Sequence, residues 1–311
     1  MTFADGAGES ERRLADLLAW GTDGATSEDR YARVRACPRY PDAARAFARA
    51  MLAQAEADRA LDAVLKDAGR NVAAKCLAYL HVTGGLNLPR LKALCAETGL
   101  VSPGRARTLL MYLQHLGYAT ASPRRDARSP TRYDPTPRFL DTWRRQMCAT
   151  LESAAIIEPA VSRVLACFDV QAVFECYVRS ISEAYLQGLK DVDTRDPFFR
   201  TFMHSYAGTQ IVHGLVLAAK DAFPPRDPIA FQLTETASRF SVSRLHVRRM
   251  MDAAQQGGLL RLAEGALIFT PAGRAAVDHI YATQLIVFLV TAARTVETCA
   301  KLAEPPRASL T

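Results

Sequence analysis

Apolar residues recur at three- and four-residue intervals along most of the chain, which is the spacing of amphipathic helices. Residues 45–68 form an Ala-rich stretch with this spacing, and they predict one helix that Gly69 ends. Residues 72–82 predict a second helix, and residues 88–95 predict a third that opens with Pro89 in its first turn. This part of the chain is therefore expected to be helical.

The clearest amphipathic segment runs from the N-cap signal Ser102-Pro103 to Gly117. Its inward face is marked by one apolar stripe with a 3.6-residue period, formed by Ala106, Leu109, Leu110, Leu113 and Leu116. Residues 118–121 and 132–134 follow as two short predicted strands around an Arg-rich turn, and Thr136-Pro137 begins another helix. The order of helix, helix, tight turn, helix and basic hairpin is that of a winged helix-turn-helix.

Part of this pattern occurs twice. A shift of 141 positions aligns residues 101–119 with residues 242–260 without a gap, and five of the nineteen positions are identical. The identical pairs are Val101/Val242, Ser102/Ser243, Arg107/Arg248, Gln114/Gln255 and Gly117/Gly258. Both copies continue into a predicted hairpin and leave it through Thr-Pro. Cap, apolar stripe, helix stop and exit all agree, so duplication of one structural unit is a better account than chance.

The other segments are less specific. Residues 137–222 predict several helices rich in aromatic side chains, which form either the core between the two units or a ligand pocket. Pro224-Pro225 predicts a linker. Residues 277–296 suit either a buried core helix or a dimer interface, and their apolar periodicity does not separate the two.

Together these elements predict a mostly α fold with two winged helix-turn-helix units, each with a small β-hairpin wing, joined by a helical central region. The predicted divisions are N-terminal helices (1–69), a first winged-helix domain (70–142), a central helical region with a linker (143–228), a second winged-helix domain (229–285), and a C-terminal helix and tail (286–311).

Composition adds a charge pattern to this picture. The 311 residues are 49% hydrophobic and 23% charged, which is typical of globular proteins and excludes wholesale disorder. The net charge of +7 is concentrated, since residues 70–142 hold 11 basic and 4 acidic side chains, and residues 229–311 hold 9 and 6. Arg supplies 33 of the 39 basic residues, although GC-rich coding would produce the same ratio. The concentrated charge favours a polyanionic partner.

The sequence predicts no membrane partner. The most apolar run, residues 285–293, is about half as long as a membrane span, and residues 1–13 lack the basic and apolar pattern of a secretory signal. Seven cysteines without a C-x-x-C pair are typical of free thiols in a reducing compartment. We therefore expect a cytoplasmic, nucleoid-associated protein.

Residues 71–142 and 229–285 resemble winged-helix transcription regulators, over somewhat more than a third of the chain. The first unit is similar to the MarR type in its helix over 88–94, its Gly99-Leu100-Val101-Ser102-Pro103-Gly104 turn and its Arg-rich wing. The resemblance implies a DNA-binding regulator of bacterial type. This chain differs from an ordinary member of that family because it carries two such units, with a long helical insert between them.

A recognition helix buries one face and presents the other to the major groove. With both apolar stripes turned inward, the outward residues of the two helices, their serine caps and the first wing are candidate DNA contacts. These candidates are Ser102, Arg105, Arg107, Thr108, Arg124, Arg125, Arg128, Arg132, Ser243, Arg244, His246, Arg248 and Arg249. Helix arginines can contact guanine, and wing arginines can neutralise phosphates. The alternative is a solvated, Arg-rich surface used for protein contacts.

Catalytic and metal-binding patterns are missing from the sequence. His204 and His213 lie nine residues apart, on opposite faces of one helix, so we expect packed or surface histidines and not metal ligands. The chain contains no G-x-G-x-x-G after a strand, no Walker lysine and no G-x-S-x-G. We expect neither an enzyme nor a cofactor.

The sequence thus predicts a sequence-specific, double-stranded DNA-binding transcriptional regulator that uses two recognition helices and a basic wing. Two such helices can occupy successive major grooves, about 34 Å apart. The alternatives are a plasmid- or origin-type replication initiator with paired winged helices and a winged-helix protein-interaction scaffold. A homodimer, and a small-molecule effector in the central helical region, stay open as further partners.

Overall fold

The computed structural model describes residues 3–21, 26–123, 126, 128–219, 223–263 and 265–303, which form fourteen α-helices and five short strands. The helices are α1 (Phe3–Gly21), α2 (Ser27–Ala36), α3 (Tyr40–Ala57), α4 (Arg59–Leu65), α5 (Ala68–Val82), α6 (Leu88–Glu97), α7 (Pro103–His115), α8 (Pro137–Ala155), α9 (Ser162–Ala166), α10 (Gln171–Gly188), α11 (Gly208–Ala218), α12 (Leu233–Arg239), α13 (Arg244–Gln256) and α14 (Pro271–Ala303). The strands are β1 (Ala119–Ala121), β2 (Tyr133–Pro135), β3 (Ile229–Ala230), β4 (Leu260–Ala263) and β5 (Ala266–Phe269). The mostly α class predicted from the sequence is confirmed.

The single helix predicted over 45–68 is wrong. The chain forms α3 and α4 with a break at Asp58, whose side chain accepts a hydrogen bond from the Leu61 amide at 3.1 Å. Asp67 caps α5 in the same way, so Gly69 lies in the first turn of α5 and does not end a helix. Asp is a strong N-cap because its carboxylate satisfies an amide that the helix leaves unpaired, and two such caps interrupt the Ala-rich stretch.

The next segment follows its sequence signals. Ser102 caps α7 by accepting the Arg105 amide at 3.3 Å, and Gly117 ends the helix with a φ of +74°. β1 and β2 then pair antiparallel. Residues 86–87 add a further pairing that the sequence did not reveal, because Asn87 bridges Arg132 beside β2.

The second segment repeats this arrangement. Helices α12 and α13 are followed by the β4–β5 hairpin, and β3 pairs with β5 to give the order β3-β5-β4. In the first segment residues 86–87 take the place of β3 beside the returning strand. Glu264, which lies between β4 and β5 in the sequence, is outside the described residues, while Gly265 adopts a φ of +79°.

The sequence repeat is matched by its hydrogen bonds. Gly117 and Gly258 both have positive φ, and each accepts a bond on its carbonyl from the threonine that ends its hairpin. The Thr136 hydroxyl donates to Gly117 at 2.8 Å, and the Thr270 hydroxyl donates to Gly258 at 2.5 Å. The two segments therefore share backbone geometry as well as residue identities.

The longest helix, α14, joins the parts of the molecule. It packs against α1, α2, α8 and α10, and Leu285, Phe288 and Leu289 are fully buried. Residues 277–296 are thus part of the core of this chain, and the domain boundary predicted between 285 and 286 falls within one helix. By length and composition Pro271–Ala300 could cross a membrane, but half of its most apolar window is buried inside the fold.

The predicted linker also packs against the core. Phe223 contacts the rings of Tyr40 and Tyr281, with centroids 5.3 and 5.1 Å apart, and Pro225 is buried. Buried apolar residues from the N-terminal helices, both repeated segments and α14 form one continuous cluster.

Candidate nucleic-acid interface

Helix α7 has one buried face and one exposed face. Ala106, Leu109, Leu110 and Leu113 are buried, as the apolar stripe predicted. Arg107 and Thr108 are exposed, and the Thr108 hydroxyl donates to the Gly104 carbonyl one turn earlier. The outward face thus presents a guanidinium beside a helix-bound hydroxyl.

Helix α13 has the same phase. Its buried stripe is Val247, Met250, Met251 and Ala254. Arg244, Arg248 and Arg249 are exposed. Arg248 occupies the repeat position of Arg107, and neither guanidinium has an ion-pair or hydrogen-bond partner within the described part of the chain. Two equivalent cationic groups therefore face solvent from equivalent helices.

Two of the predicted contact residues are bonded inside the molecule. Arg105 donates from Nη2 to both carboxylate oxygens of Asp67, at 2.8 and 3.0 Å. His246 is half-buried, and its Nε2 donates to the Tyr206 carbonyl at 2.9 Å. The donors that each would offer to DNA at these atoms are used in holding the first turns of α7 and α13.

The two serines act as helix caps. Ser102 Oγ accepts the Arg105 amide, and Ser243 Oγ accepts the His246 amide at 3.1 Å. Both serines are exposed. Each helix therefore begins at the surface, where its unpaired first-turn amides and positive dipole end can receive an anion such as a phosphate.

The β1–β2 hairpin, which the sequence predicted to be the first wing, is only partly described, since Arg124 and Arg125 lie outside the described residues. Arg128 and Arg132 are exposed. Asp126 was not among the sequence-derived candidates, and it shapes the turn by accepting bonds from the Ser129 hydroxyl and the Arg128 amide. Those hydrogen bonds, with the Ser129 hydroxyl first, hold the pKa of the Asp126 carboxyl below its usual range. One fixed negative charge thus sits among the wing arginines.

Large apolar side chains are also exposed on α7 and α13. On α7, Met111 is 38% exposed and Tyr112 is 39% exposed, and on α13 Leu245 is 54% exposed. None of these three is among the sequence-derived candidate contacts, although the phase that turns Arg107 and Thr108 outward also turns Met111 outward. Tyr112 lies one turn after Thr108 and Leu245 lies one turn before Arg249, so helical phase alone would have indicated both.

His204 and His213 do not share a helix, so the single helix expected from the sequence is wrong: His204 directly follows the helical turn Phe199–Met203, and His213 lies in α11. His204 is exposed, whereas His213 is buried with Nδ1 2.6 Å from the Tyr281 hydroxyl oxygen. Burial lowers the pKa of His213 to about 4. No group of three or more potential metal ligands occurs among the residues that the structure describes.

A cleft of about 650 Å³ lies between α2, α6, α10 and α14. Leu186, Ile286 and Val287 form part of an apolar wall, and Glu97 and Thr98 border it at the end of α6. The cleft therefore reaches the turn that precedes α7.

No protein-family model, curated protein or solved structure matches this chain.

Proposed function

We propose that the chain is a sequence-specific, double-stranded DNA-binding protein that regulates transcription through two winged helix-turn-helix units. The observation that carries the proposal is the equivalence of Arg107 and Arg248. Both are exposed, both lack a partner among the described residues, and both project from a helix whose opposite face is buried. A structural unit that occurs twice with the same exposed cation is suited to contacting a repeating polyanion.

The chemistry of these side chains fits a DNA duplex. A guanidinium on a helix in the major groove can donate two bonds to guanine, which discriminates by about 1–3 kcal/mol against another base. Exposed Thr108 and Met111 can contact a thymine methyl group, and Arg128 and Arg132 lie on the hairpin that would meet phosphates. The +7 charge over residues 70–142 supplies the sequence-independent attraction.

A protein-interaction scaffold is the second candidate, and a specific observation favours it. Tyr112 and Leu245 are large and exposed, and they lie on the same two helices as Arg107 and Arg248. Aromatic and aliphatic side chains bordered by arginines are typical of protein interfaces. An acidic protein partner would then occupy the surface that we assign to DNA.

Salt-dependent binding to a duplex separates these candidates. We expect the full chain to bind a random-sequence duplex at low salt, with an affinity that falls as salt rises because bound counterions are released. No retention of the duplex at low salt would refute DNA binding and leave the scaffold. Recovery of bound DNA from cells then distinguishes promoter sites from the iterated sites near an origin that a replication initiator would bind.

The cleft beside α6 is the proposed site for an effector. A ligand there would contact Glu97 and Thr98, directly before the turn that leads into α7. The substitution Val287→Trp would place a larger side chain in the cleft and occupy the space that a ligand needs. A small molecule that changes DNA affinity of the original chain but not of this variant would support the site, and equal responses would exclude it.

The proposed function also bears on assembly and location. One chain carries both recognition helices, so DNA binding requires no second copy, and sedimentation of the complex tests whether a homodimer forms. A protein that acts on chromosomal DNA would work in the cytoplasm with the nucleoid, which microscopy of a tagged chain tests.

A further inference from the structure

Arg105 and His246 occupy the same position of the repeat, because they are 141 residues apart in sequence. Each lies in the first turn of its helix, α7 or α13. Each is bonded inside the molecule, Arg105 to the Asp67 carboxylate and His246 to the Tyr206 carbonyl. Both helices are therefore held at the end from which such helices contact bases.

The two attachment points belong to one local structure, which we call the junction and define as residues 62–67 and 205–208. Asp67 and Tyr206 are connected within it, since the Ala207 amide donates to the Lys66 carbonyl at 3.1 Å. Arg105 and His246 are thus linked through a short chain of contacts. Arg105 bonds to Asp67, its neighbour Lys66 bonds to Ala207 through the backbone, and the neighbouring Tyr206 bonds to His246. The amino-terminal turns of α7 and α13 lie on either side of the junction.

Lys66 connects the junction to the second unit by another route. Its Nζ lies 2.8 Å from an Asp62 carboxylate oxygen and donates to the Phe240 carbonyl at 3.1 Å, where α12 ends. The Lys66 and Asp62 side chains are each only 9% exposed. Asp62 also accepts a bond from the Gln210 side chain at the start of α11. Charged hydrogen bonds shielded from water are stronger than exposed ones, so these contacts resist exchange with solvent.

The backbone of the junction has little freedom. Ala207 adopts a φ of +56°, which few residues other than glycine accept. A Cβ on Gly208 would lie 2.1 Å from the Phe202 carbonyl oxygen, so the chain passes closely over the preceding turn. The segment that receives His246 is thus fixed in place by close packing.

We propose that the junction holds α7 and α13 in one relative orientation, with Arg105 and His246 as positioning residues, and that a single chain therefore binds a bipartite duplex site at one spacing. This proposal rests on the proposed function. Base contacts then fall to Arg107 and Arg248, two residues further along each helix and exposed.

The fixed orientation can be measured without DNA. Spin labels attached through azide-bearing amino acids at positions 111 and 252, which are exposed and equivalent in the repeat, report the distance between the helices. We expect one narrow distance distribution. The double variant Arg105→Met with His246→Leu should broaden it, whereas Arg107→Met, the matched control on the same helix, should not. A broad distribution in the original chain, or an unchanged one in the double variant, would overturn the proposal.

A conservative variant covers the case in which the double variant fails to fold. Asp67→Asn keeps a side chain that can cap α5 but removes the negative charge that pairs with Arg105. We expect this variant to remain folded and to broaden the same distance distribution. A folded Asp67→Asn variant with the original narrow distribution would also count against the proposal.

The bipartite site is tested with duplexes selected from a random pool by the full chain. Inserting about 5 base pairs, half a helical turn, between the two selected elements should weaken binding about 100-fold or more, because the two contacts would no longer be simultaneous. In the double variant and in Asp67→Asn, the same insertion should reduce the affinity much less. Tight binding at every spacing would refute the proposal that one chain binds its two DNA elements at a single spacing. Failure to retain any duplex at low salt would refute the proposed function, while the label distances would still decide the orientation.

Discussion

The Nδ1 atom of His213 lies 2.6 Å from the hydroxyl oxygen of Tyr281, and both rings are buried against Phe47. Burial lowers the pKa of His213 to about 4 from its ordinary value of 6.5. The unfolded chain therefore takes up a proton first as the pH falls, so the native state loses stability between pH 6.5 and pH 4. The stability that this histidine contributes is complete only above pH 6.5.

We expect His213→Gln to remove this pH dependence, because an amide can still bond to Tyr281 but does not titrate. Between pH 7 and pH 5 the original chain should lose about 2 kcal/mol through His213, and the variant should be spared that loss. Urea unfolding at the two pH values measures the difference. His204→Gln, at an exposed histidine, is the matched control for the loss of one imidazole. A His213→Gln variant with the original slope would contradict the assignment.

Arg107 and Arg248 should determine sequence preference. Replacing either with Gln should reduce the ratio of specific to random-duplex affinity by about 1–3 kcal/mol, and charge reversal of both should abolish the preference. Competition binding with labelled duplexes measures the ratio. Arg49→Gln, at an exposed arginine of α3 outside both units, removes the same charge and should leave the ratio unchanged. An equal reduction of this ratio in the Arg107, Arg248 and Arg49 variants would show that the sequence preference depends only on the total positive charge.

The wing arginines should act on every duplex alike. Replacing Arg128 and Arg132, or Arg124 and Arg125, should weaken specific and random duplexes by the same factor. For each phosphate that the variant no longer neutralises, the slope of log affinity against log salt should fall by about 0.9. Salt titrations of the variants test this expectation. A selective loss of specific binding would instead place these side chains at base edges.

Asp58 should be important for stability. Its carboxylate caps α4 and accepts the hydroxyl of buried Tyr118 at 2.7 Å, with Arg138 3.6 Å away. Asp58→Ala removes the cap and leaves a buried hydroxyl without its acceptor, so we expect a loss of about 3 kcal/mol in the free energy of unfolding. Asp58→Asn keeps an acceptor and should cost less than half as much. Urea titrations that find Asp58→Ala as stable as the original chain would show that the cap and the hydroxyl contact contribute little.

The parts of the fold that the sequence predicted depend on neighbouring residues. Ser102, Ser243, Gly117 and Gly258 each act within one helical turn or its exit, so their roles are visible in a short stretch of sequence. The phase of α7 and α13 follows from the same local periodicity. The exposed position of Arg107 and Arg248 could therefore be predicted from the sequence.

The roles that the sequence did not reveal depend on distant partners. Arg105 bonds to a residue 38 positions away and His246 to one 40 positions away, so both looked like surface residues from helical phase alone. Strand β3 has only two residues, and its pairing with β5 spans a similar separation. Short pairings of this kind gain their stability from the assembled fold and leave little local pattern.

The threonine bond at the base of each hairpin closes segments of different size, since Gly117 and Thr136 are 19 positions apart while Gly258 and Thr270 are 12 apart. The closure thus tolerates seven additional residues without a change in its partners. Because the entropy of a loop grows only slowly with its length, the tip can gain or lose residues at small cost. Evolution, or an engineer grafting a foreign peptide, can therefore vary what each hairpin carries and leave the helices beneath it undisturbed.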